Sequence, residues 1–326
     1  MGEKGDIFMS QIQYSEDQLV GFTKSISNSE DNRYISTIKM IEDLLSDMDY
    51  TIKKENDMGN PSPMIFQRSN NTEDEVILLV QGSYANDTCV KQDSDVDIAV
   101  IHCQPFKAKF INGFKNIDYG FADYKGDFNL IDFKGQILDK LNSRFNGQVK
   151  GHDKSIKVEG NTYRKDCDVV PCERYRNYAF LNSSDPNVYA SGILIKTDKG
   201  QEIINYPEVH YKNEVDKNNK TKGMFKKIVR VFKNIANDFS EKNTLSKTIS
   251  SFKLECLLYN APNQEFLYDE SYKKRVVYLC NELIEDLDTN PDQLLESNGI
   301  KQLFIEKQEA SEMINFLKNV KEACHE

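Results

Sequence analysis

VILLVQGSYANDTCVKQDSDVDIAVIHC, residues 76–103, is the stretch whose reading decides the fold. An apolar run from Val76 to Val80 meets Gly82-Ser83, and a polar turn then leads into Asp95-Val96-Asp97-Ile98-Ala99-Val100-Ile101. Short apolar runs bounded by turn residues predict two buried strands. Side chains at i and i+2 of a strand share a face, so Asp95 and Asp97 project together while Val96 and Ile98 enter the core. Two carboxylates ~7 Å apart along one strand repel each other unless a cation lies between them. Hard oxygen ligands on a rigid element suit Mg²⁺, which takes one or two carboxylates and completes its shell with water and phosphate oxygens.

Gly82-Ser83 fits the other half of such a site. Glycine lets the backbone approach a ligand closely. A helix beginning near Ser83 would turn its free N–H groups and positive dipole end toward whatever lies beside the aspartates. A triphosphate bridged by Mg²⁺ is the natural occupant. A lone D-x-D would instead be read as solvated acids on an edge strand, with Ser83 capping a surface turn. Strand, Gly-Ser, spacer and D-h-D-h in succession favour the functional reading. Asp93 shares the parity of Asp95 and Asp97, but h-D-h-D-h is satisfied only by the later pair, which assigns Asp93 to the preceding turn.

Gly-Ser followed twelve residues on by D-h-D-h resembles the core of the DNA polymerase β-like nucleotidyltransferases. Further stretches make the chain similar to the bacterial relatives of cyclic GMP-AMP synthase (the CD-NTases), which produce cyclic oligonucleotide signals in anti-phage defence. These are KSIKV (Lys154–Val158), DVVPC (Asp168–Cys172), IINYP (Ile203–Pro207), the basic helix near Lys226 to Lys233, and SSFKLECLLYN (Ser250–Asn260). The resemblance implies an α+β fold: a polymerase β-like core of mixed sheet flanked by helices, a long N-terminal bracing helix, and a C-terminal helical lobe. The expected division is 1–210 for the core with its N-terminal helices and 211–326 for the lobe.

Composition bounds the alternatives. The 326 residues suffice for two substantial lobes. A formal charge of −10 counts against a protein that coats nucleic acid, because phosphate neutralisation needs a basic surface. Seven cysteines without a CxxC read as reduced, partly buried thiols in a cytoplasmic protein. Cys167, Cys172 and His152 match no common zinc spacing. MGEKGDIFMS lacks the apolar region of a signal peptide, and no run approaches the ~20 residues of a membrane span.

Ile35, Ile38, Ile41, Leu44 and Leu45 predict one helix from about Gln18 to Tyr50. Asn56 to Glu73, polar and carrying Pro61 and Pro63, reads as a linker or loop. Residues 107–118 and 120–132 carry no assignable pattern. Gly135 to Arg144 predicts a short helix with Ile137, Leu138 and Leu141 inward. Ser155–Glu159 and Tyr163–Val170 read as a hairpin whose second strand delivers Asp168. The resemblance makes Asp168 the third carboxylate; Asp166, of the same parity, is read as a strand-end surface acid. Amphipathic helices follow at about 270–287 and 300–323.

From Tyr211 to Lys233 the chain is locally basic. Phe225, Ile228, Val229, Phe232 and Ile235 give a helix its apolar face, and Lys226, Arg230 and Lys233 line an adjacent one. The resemblance assigns triphosphate contacts to Lys233, with Lys226 and Arg230 as helpers, a further phosphate contact to Ser251, and base stacking to Phe252, which equally suits a core position. Asn205 lies where related enzymes contact a base. Its amide pairs with the donor–acceptor edge of uracil or adenine, although an Asn capping a loop before Pro207 is an equal reading.

The expected reaction is attack of a ribose hydroxyl on the α-phosphate of a nucleoside triphosphate, which needs positioning and charge neutralisation. Asp95, Asp97 and Asp168 would hold two Mg²⁺ ions, with Mn²⁺ able to substitute, and Gly82 and Ser83 would hold the outer phosphates. Cyclisation into a di- or trinucleotide, including a uridine-containing one, follows from the resemblance alone. Expected partners are ATP with UTP or GTP and a product-activated effector protein, with no membrane, no extended nucleic-acid track, and a monomeric chain. The competing readings are a transferase acting on an RNA end or a protein, and a catalytically silent nucleotide-binding scaffold.

Overall fold

The computed structural model describes residues 12–54, 63–90, 95–242, 249–268 and 271–325. The chain divides into two compact units, one of residues 27–85 and 92–209 and the other of 1–26, 86–91 and 210–326. Residues 12–26 and 86–90, expected with the core, thus group with the C-terminal helices.

One long N-terminal helix is expected, and two are found: α1 (Glu16–Phe22) and α2 (Asn28–Asp47). The break is chemical. Ser15 with Gln18, and Ser27 with Glu30, form two complete capping boxes, each serine accepting from the amide three residues on while that residue's side chain accepts the serine's amide. Along α2, Tyr34, Thr37, Met40, Ile41, Leu44 and Leu45 are buried while Ile35 is exposed.

The first unit is built on a mixed sheet with strand order β1-β2-β3-β4-β7-β6-β5, in which β8 pairs with β7 and β9 with β8. Its strands are β1 (Tyr50–Lys54), β2 (Met64–Arg68), β3 (Asn71–Gln81), β4 (Val96–Lys109), β5 (Val149–Gly151), β6 (Ile156–Val158), β7 (Cys167–Asn177), β8 (Ala190–Lys196) and β9 (Glu202–Asn205). Among the described residues, β4–β7 is the one parallel pair. Residues 64–68 and 71–73, expected in a linker, are strand: Phe66 is fully buried and pairs with Val76, so cross-strand packing overrides the local polarity. β4 also runs on through 107–109, where no pattern was assignable, because β7 continues beside it.

Helix α3 is a single turn, Gly82–Ala85, and α4 spans Leu130–Arg144. α4 starts five residues earlier than predicted because Asn129 caps it, its side chain accepting from Ile131 N at 2.9 Å. Ile137 and Leu141 are buried and Leu138 partly so. α2 packs on β1 and β4, and α4 on β5 and β7. A second layer of apolar side chains, Leu79, Ala99, Ile101, Val170, Cys172, Ile193 and Ile195, covers the opposite parity of β4. Both faces of β4 are therefore buried. A short helix, α5 (Tyr178–Leu181), follows β7.

The second unit is helical: α6 (Pro207–Lys220), which begins at the boundary, α7 (Met224–Glu241), α8 (Ser251–Asn260), α9 (Tyr272–Thr289) and α10 (Lys307–Cys324). Phe225, Ile228, Val229, Phe232 and Ile235 are fully buried, as their spacing predicts, in a core shared with Leu254, Leu257, Leu283, Phe316 and Leu317. α10 begins later than residue 300 because Asn298 accepts from the amides of Ile300 and Lys301, and Leu295 bridges to Gln302. All seven cysteines are buried thiols. Among the described residues no helix is long and apolar enough to cross a membrane.

Candidate active site

The strand register sets a row of functional groups. β3 and β4 pair so that Gln81 faces Asp97, β4 and β7 so that Asp97 faces Asp168, and β7 and β6 so that Asp168 faces Lys157. Gly82 follows directly on Gln81, with φ of 72°. A methyl group there would overlap Asp97 Oδ2, so the position needs glycine for both conformation and space.

Asp97 and Asp168 are thus neighbours on adjacent strands, and Asp95 ends the segment leading into β4. Burial, then Asp168, then Asp95 push the Asp97 carboxyl up to about 7. Burial and Asp95 raise Asp168 as well. Ser155 Oγ donates to Asp168 Oδ1 at a long 3.5 Å. Burial and neighbouring negative charge thus raise two of these carboxyls, and carboxylate oxygens are the donor type that suits a hard divalent cation.

Asp166 differs from Asp168 despite its shared parity. Its Oδ1 accepts from Gly160 N at 2.6 Å, and its Oδ2 lies 3.2 Å from Lys157 Nζ. The same ammonium reaches Asp95 Oδ2 at 3.0 Å. Sequence reading passed over Lys157, although KSIKV carries the signal: Ile156 and Val158 are buried, which leaves Lys157 on the carboxylate face between them. Asp93 lies outside the described residues.

Helix α2 fixes the Gly-Ser turn and the turn before Asp166. Tyr84 stacks on Tyr34 with ring centroids 4.2 Å apart, and its hydroxyl donates to Asp31 Oδ1 at 2.8 Å. Arg33 donates to the carbonyls of Asn161 and Arg164, at 2.8 and 3.2 Å, and Thr37 Oγ1 accepts from Lys165 N at 2.9 Å. Ser83 is partly exposed within α3. Asn205 ends β9 opposite Ile193, partly buried, and precedes Tyr206, whose hydroxyl accepts from the Asn177 amide at 2.8 Å.

The candidates of the helical unit fall into two kinds. Lys233 is 2% exposed and bonds to Glu255 Oε2 at 2.5 Å and to Thr88 Oγ1 at 3.0 Å. Arg230 donates to the carbonyls of Thr23, at 2.7 Å, and Asp87, and lies 3.4 Å from the Asp87 carboxylate. These two cations, which the resemblance assigns to the triphosphate, are buried and hold partners of their own unit. Burial lowers the proton affinity of the half-buried Lys226. Ser251 is exposed at the first position of α8, after the N-cap Ser250. Phe252 is 48% exposed, not core, with its ring 5.5 Å from that of His210 and nearly parallel to it.

His210 Nε2 in turn lies 3.0 Å from Glu214, and His210, Glu214 and Glu255 bring ligand atoms within 4.8 Å of one another. Lys233 already neutralises Glu255 there, and His210 carries a raised proton affinity: burial lowers it, but Cys256 and Glu214 outweigh that. Within the cluster Lys233 pairs with Glu255 and His210 with Glu214, beneath the ring of Phe252.

Residues 212–325 match the model of the cGAS/DncV-like nucleotidyltransferase C-terminal helical domain. The chain is 36% identical over 313 residues to the cyclic GMP-AMP synthase CdnE03 of Staphylococcus schleiferi, covering 94% of this chain and 96% of that one. It is 31% identical over 280 residues to the cyclic dipyrimidine nucleotide synthase CdnE of Cecembia lonarensis, covering 84% and 86%. Among solved structures, the Rhodothermus marinus CdnE c-UMP-AMP synthase with Apcpp and Upnpp superposes with a TM-score of 0.72 at 25% identity, covering 94% and 95%. The Elizabethkingia meningoseptica CdnE cyclic dinucleotide synthase with GTP and Apcpp gives 0.70 at 28%, covering 94% and 97%. With the polymerase β-like sheet and its helical lobe in place, the chain belongs to the CD-NTase family and is a nucleotidyltransferase of the cyclic-nucleotide-synthase type.

Proposed function

We propose that this enzyme joins ATP and a second nucleoside triphosphate, UTP or GTP, into a cyclic dinucleotide that switches on an effector protein in anti-phage defence, releasing pyrophosphate at each bond formed. The observation that carries the reading is the row Gly82, Asp97 and Asp168 set by strand register. A silent scaffold would have no use for acids such as Asp97 and Asp168, whose proton affinity is raised by burial and, further, by neighbouring carboxylates.

In each round a ribose hydroxyl attacks the α-phosphorus, the new P–O bond forms as the bond to pyrophosphate breaks, and the hydroxyl proton passes to Asp168. Asp95, Asp97 and Asp168 would hold the divalent ions, two Mg²⁺ in this reading, which when bound neutralise charge on the attacking and leaving oxygens. Gly82 lets the backbone approach the outer phosphates, and the Ser83 hydroxyl donates to them. From the helical lobe we assign a phosphate contact to the exposed Ser251 and base stacking to the outer face of Phe252. Lys233 serves the same end indirectly, as a buried charge fixing Glu255 and Thr88. Asn205 reads one of the bases through its amide. A cyclic product needs a second round in which the linear intermediate's free hydroxyl attacks its own triphosphate.

The test is incubation with all four labelled triphosphates and Mg²⁺ or Mn²⁺, followed by phosphatase and mass spectrometry. A phosphatase-resistant species of two nucleotides without a free end is the expected result. Products that remain linear, or label that moves only when RNA or protein is added, would overturn the cyclisation reading. Replacing Asn205 by Ala should redistribute the bases in the product while leaving the linkage chemistry intact.

A further inference from the structure

Lys157 bridges two acids with different duties. Asp166 is a fixed anchor: Oδ1 accepts from Gly160 N, Oδ2 faces Lys157, and its backbone carbonyl accepts from Val96 N at 2.8 Å, so it also pins the first residue of β4. Asp95, one residue before β4, offers Oδ2 to the Lys157 ammonium at 3.0 Å. On the reading above, Asp95 is a metal ligand, and that oxygen is then one that Lys157 and a divalent ion compete for. The strand holding Lys157 is itself fixed, since its neighbours Ile156 and Val158 are fully buried. Only the long side chain, 31% exposed, has room to move.

We propose that Lys157 is a tethered counter-ion that sets the concentration of divalent metal at which the active site fills. Without metal it screens Asp95 from Asp97 and Asp168. When a divalent ion takes the Asp95 oxygen, the ammonium withdraws but stays on Asp166. There it remains a positive charge beside the site, at hand for the phosphate oxygens of an incoming triphosphate. Metal alone must displace a cation, whereas metal arriving with a triphosphate also brings the displaced cation a new partner. Lys157 therefore makes filling by free metal poor and filling by metal–nucleotide good. It acts through Asp95 and is a positioning residue. The sign follows from Coulomb's law: removing a unit positive charge ~5 Å from a divalent ion in a water-filled site strengthens ion binding by at least about five- to tenfold at ~0.1 M ionic strength.

The proposal rests on Asp95, Asp97 and Asp168 being metal ligands, and its test separates the two claims. Mn²⁺ binding to the full chain is followed by electron paramagnetic resonance of the free ion, without nucleotide, at fixed pH and salt. Lys157→Met should bind Mn²⁺ about five- to tenfold more tightly than wild type, Lys157→Arg should match wild type, and Asp97→Asn should abolish the site. Lys157→Gln, with its polar tip, gives the same shift should the Met variant fold poorly. Unchanged or weaker binding in both neutral variants, with Asp97→Asn still abolishing the site, overturns the role of Lys157. Binding that survives Asp97→Asn overturns the metal-ligand reading and this inference with it.

Discussion

Gly82 and Asp97 occupy adjoining space: the hydrogen of the glycine faces the carboxylate, and a methyl group in its place would meet Oδ2. The relationship arises from register, since Gln81 pairs with Asp97 and the chain turns at the next residue with φ of 72°.

Gly82→Ala is therefore expected to cost activity far more than stability. A positive φ costs an alanine on the order of 1 kcal/mol, which a chain of this size absorbs. The displaced Asp97 oxygen should lower kcat at least a hundredfold, since misplacement by ~1 Å has that effect at a reacting centre. Steady-state kinetics with chemical denaturation checks both halves. Equal losses in the two would show that the glycine serves folding alone.

Asp97→Asn should abolish nucleotidyl transfer and yet stabilise the metal-free protein. The wild-type carboxyl, pushed up to about 7 by burial and by Asp168 and Asp95, is raised above its unfolded value. Its ionised form therefore opposes folding at and above neutral pH. A neutral amide of the same shape removes that penalty, on the order of 4 kcal/mol at pH 8. The gain should shrink as pH falls below 7, where the wild-type group takes up its own proton. Melting curves at pH 5.5 and 8 without metal test this; a variant less stable than wild type at pH 8 would contradict it.

Lys233→Met should lower stability by ~3–5 kcal/mol, because Glu255 would be left buried without its cation. Lys233→Met combined with Glu255→Leu should recover most of that loss. A contact to substrate phosphate alone predicts the opposite pattern, with normal melting in the single variant and no rescue of activity in the double. Denaturant titrations of the two variants and of Glu255→Leu form a cycle that decides between them.

What could be read from the chain was whatever depends on near neighbours. Val96 and Ile98 enter the core because strand parity suffices to place them, whereas the meeting of Asp97 with Asp168 across a parallel pair was legible only through the family resemblance. The buried stripe of α7 follows from spacing alone. What escaped depends on partners far along the chain or on short polar signals outvoted by longer apolar ones. Lys157 finds Asp95 across 62 residues, and Lys233 finds Glu255 across 22. Their sequence contexts resemble those of solvated lysines. The break between α1 and α2 was written in Ser15-x-x-Gln18 and Ser27-x-x-Glu30, but the apolar repeat of α2 masked it. The first turn of α4 is hidden in a similar way: Lys134 breaks its apolar stripe, yet is buried and donates to the carbonyls of His152 and Asp153.

Helix α2 bears on how natural variation in this chain should be interpreted. Arg33, Tyr34 and Thr37 are none of the acids, yet each tethers a segment leading to one. A mutational scan scored by turnover would rank them with the aspartates, whereas one scored by melting would rank them with ordinary interior positions. The discrepancy between the two rankings would trace the outline of this helix's contacts, and so distinguish residues that perform the reaction from those that only keep its parts aligned.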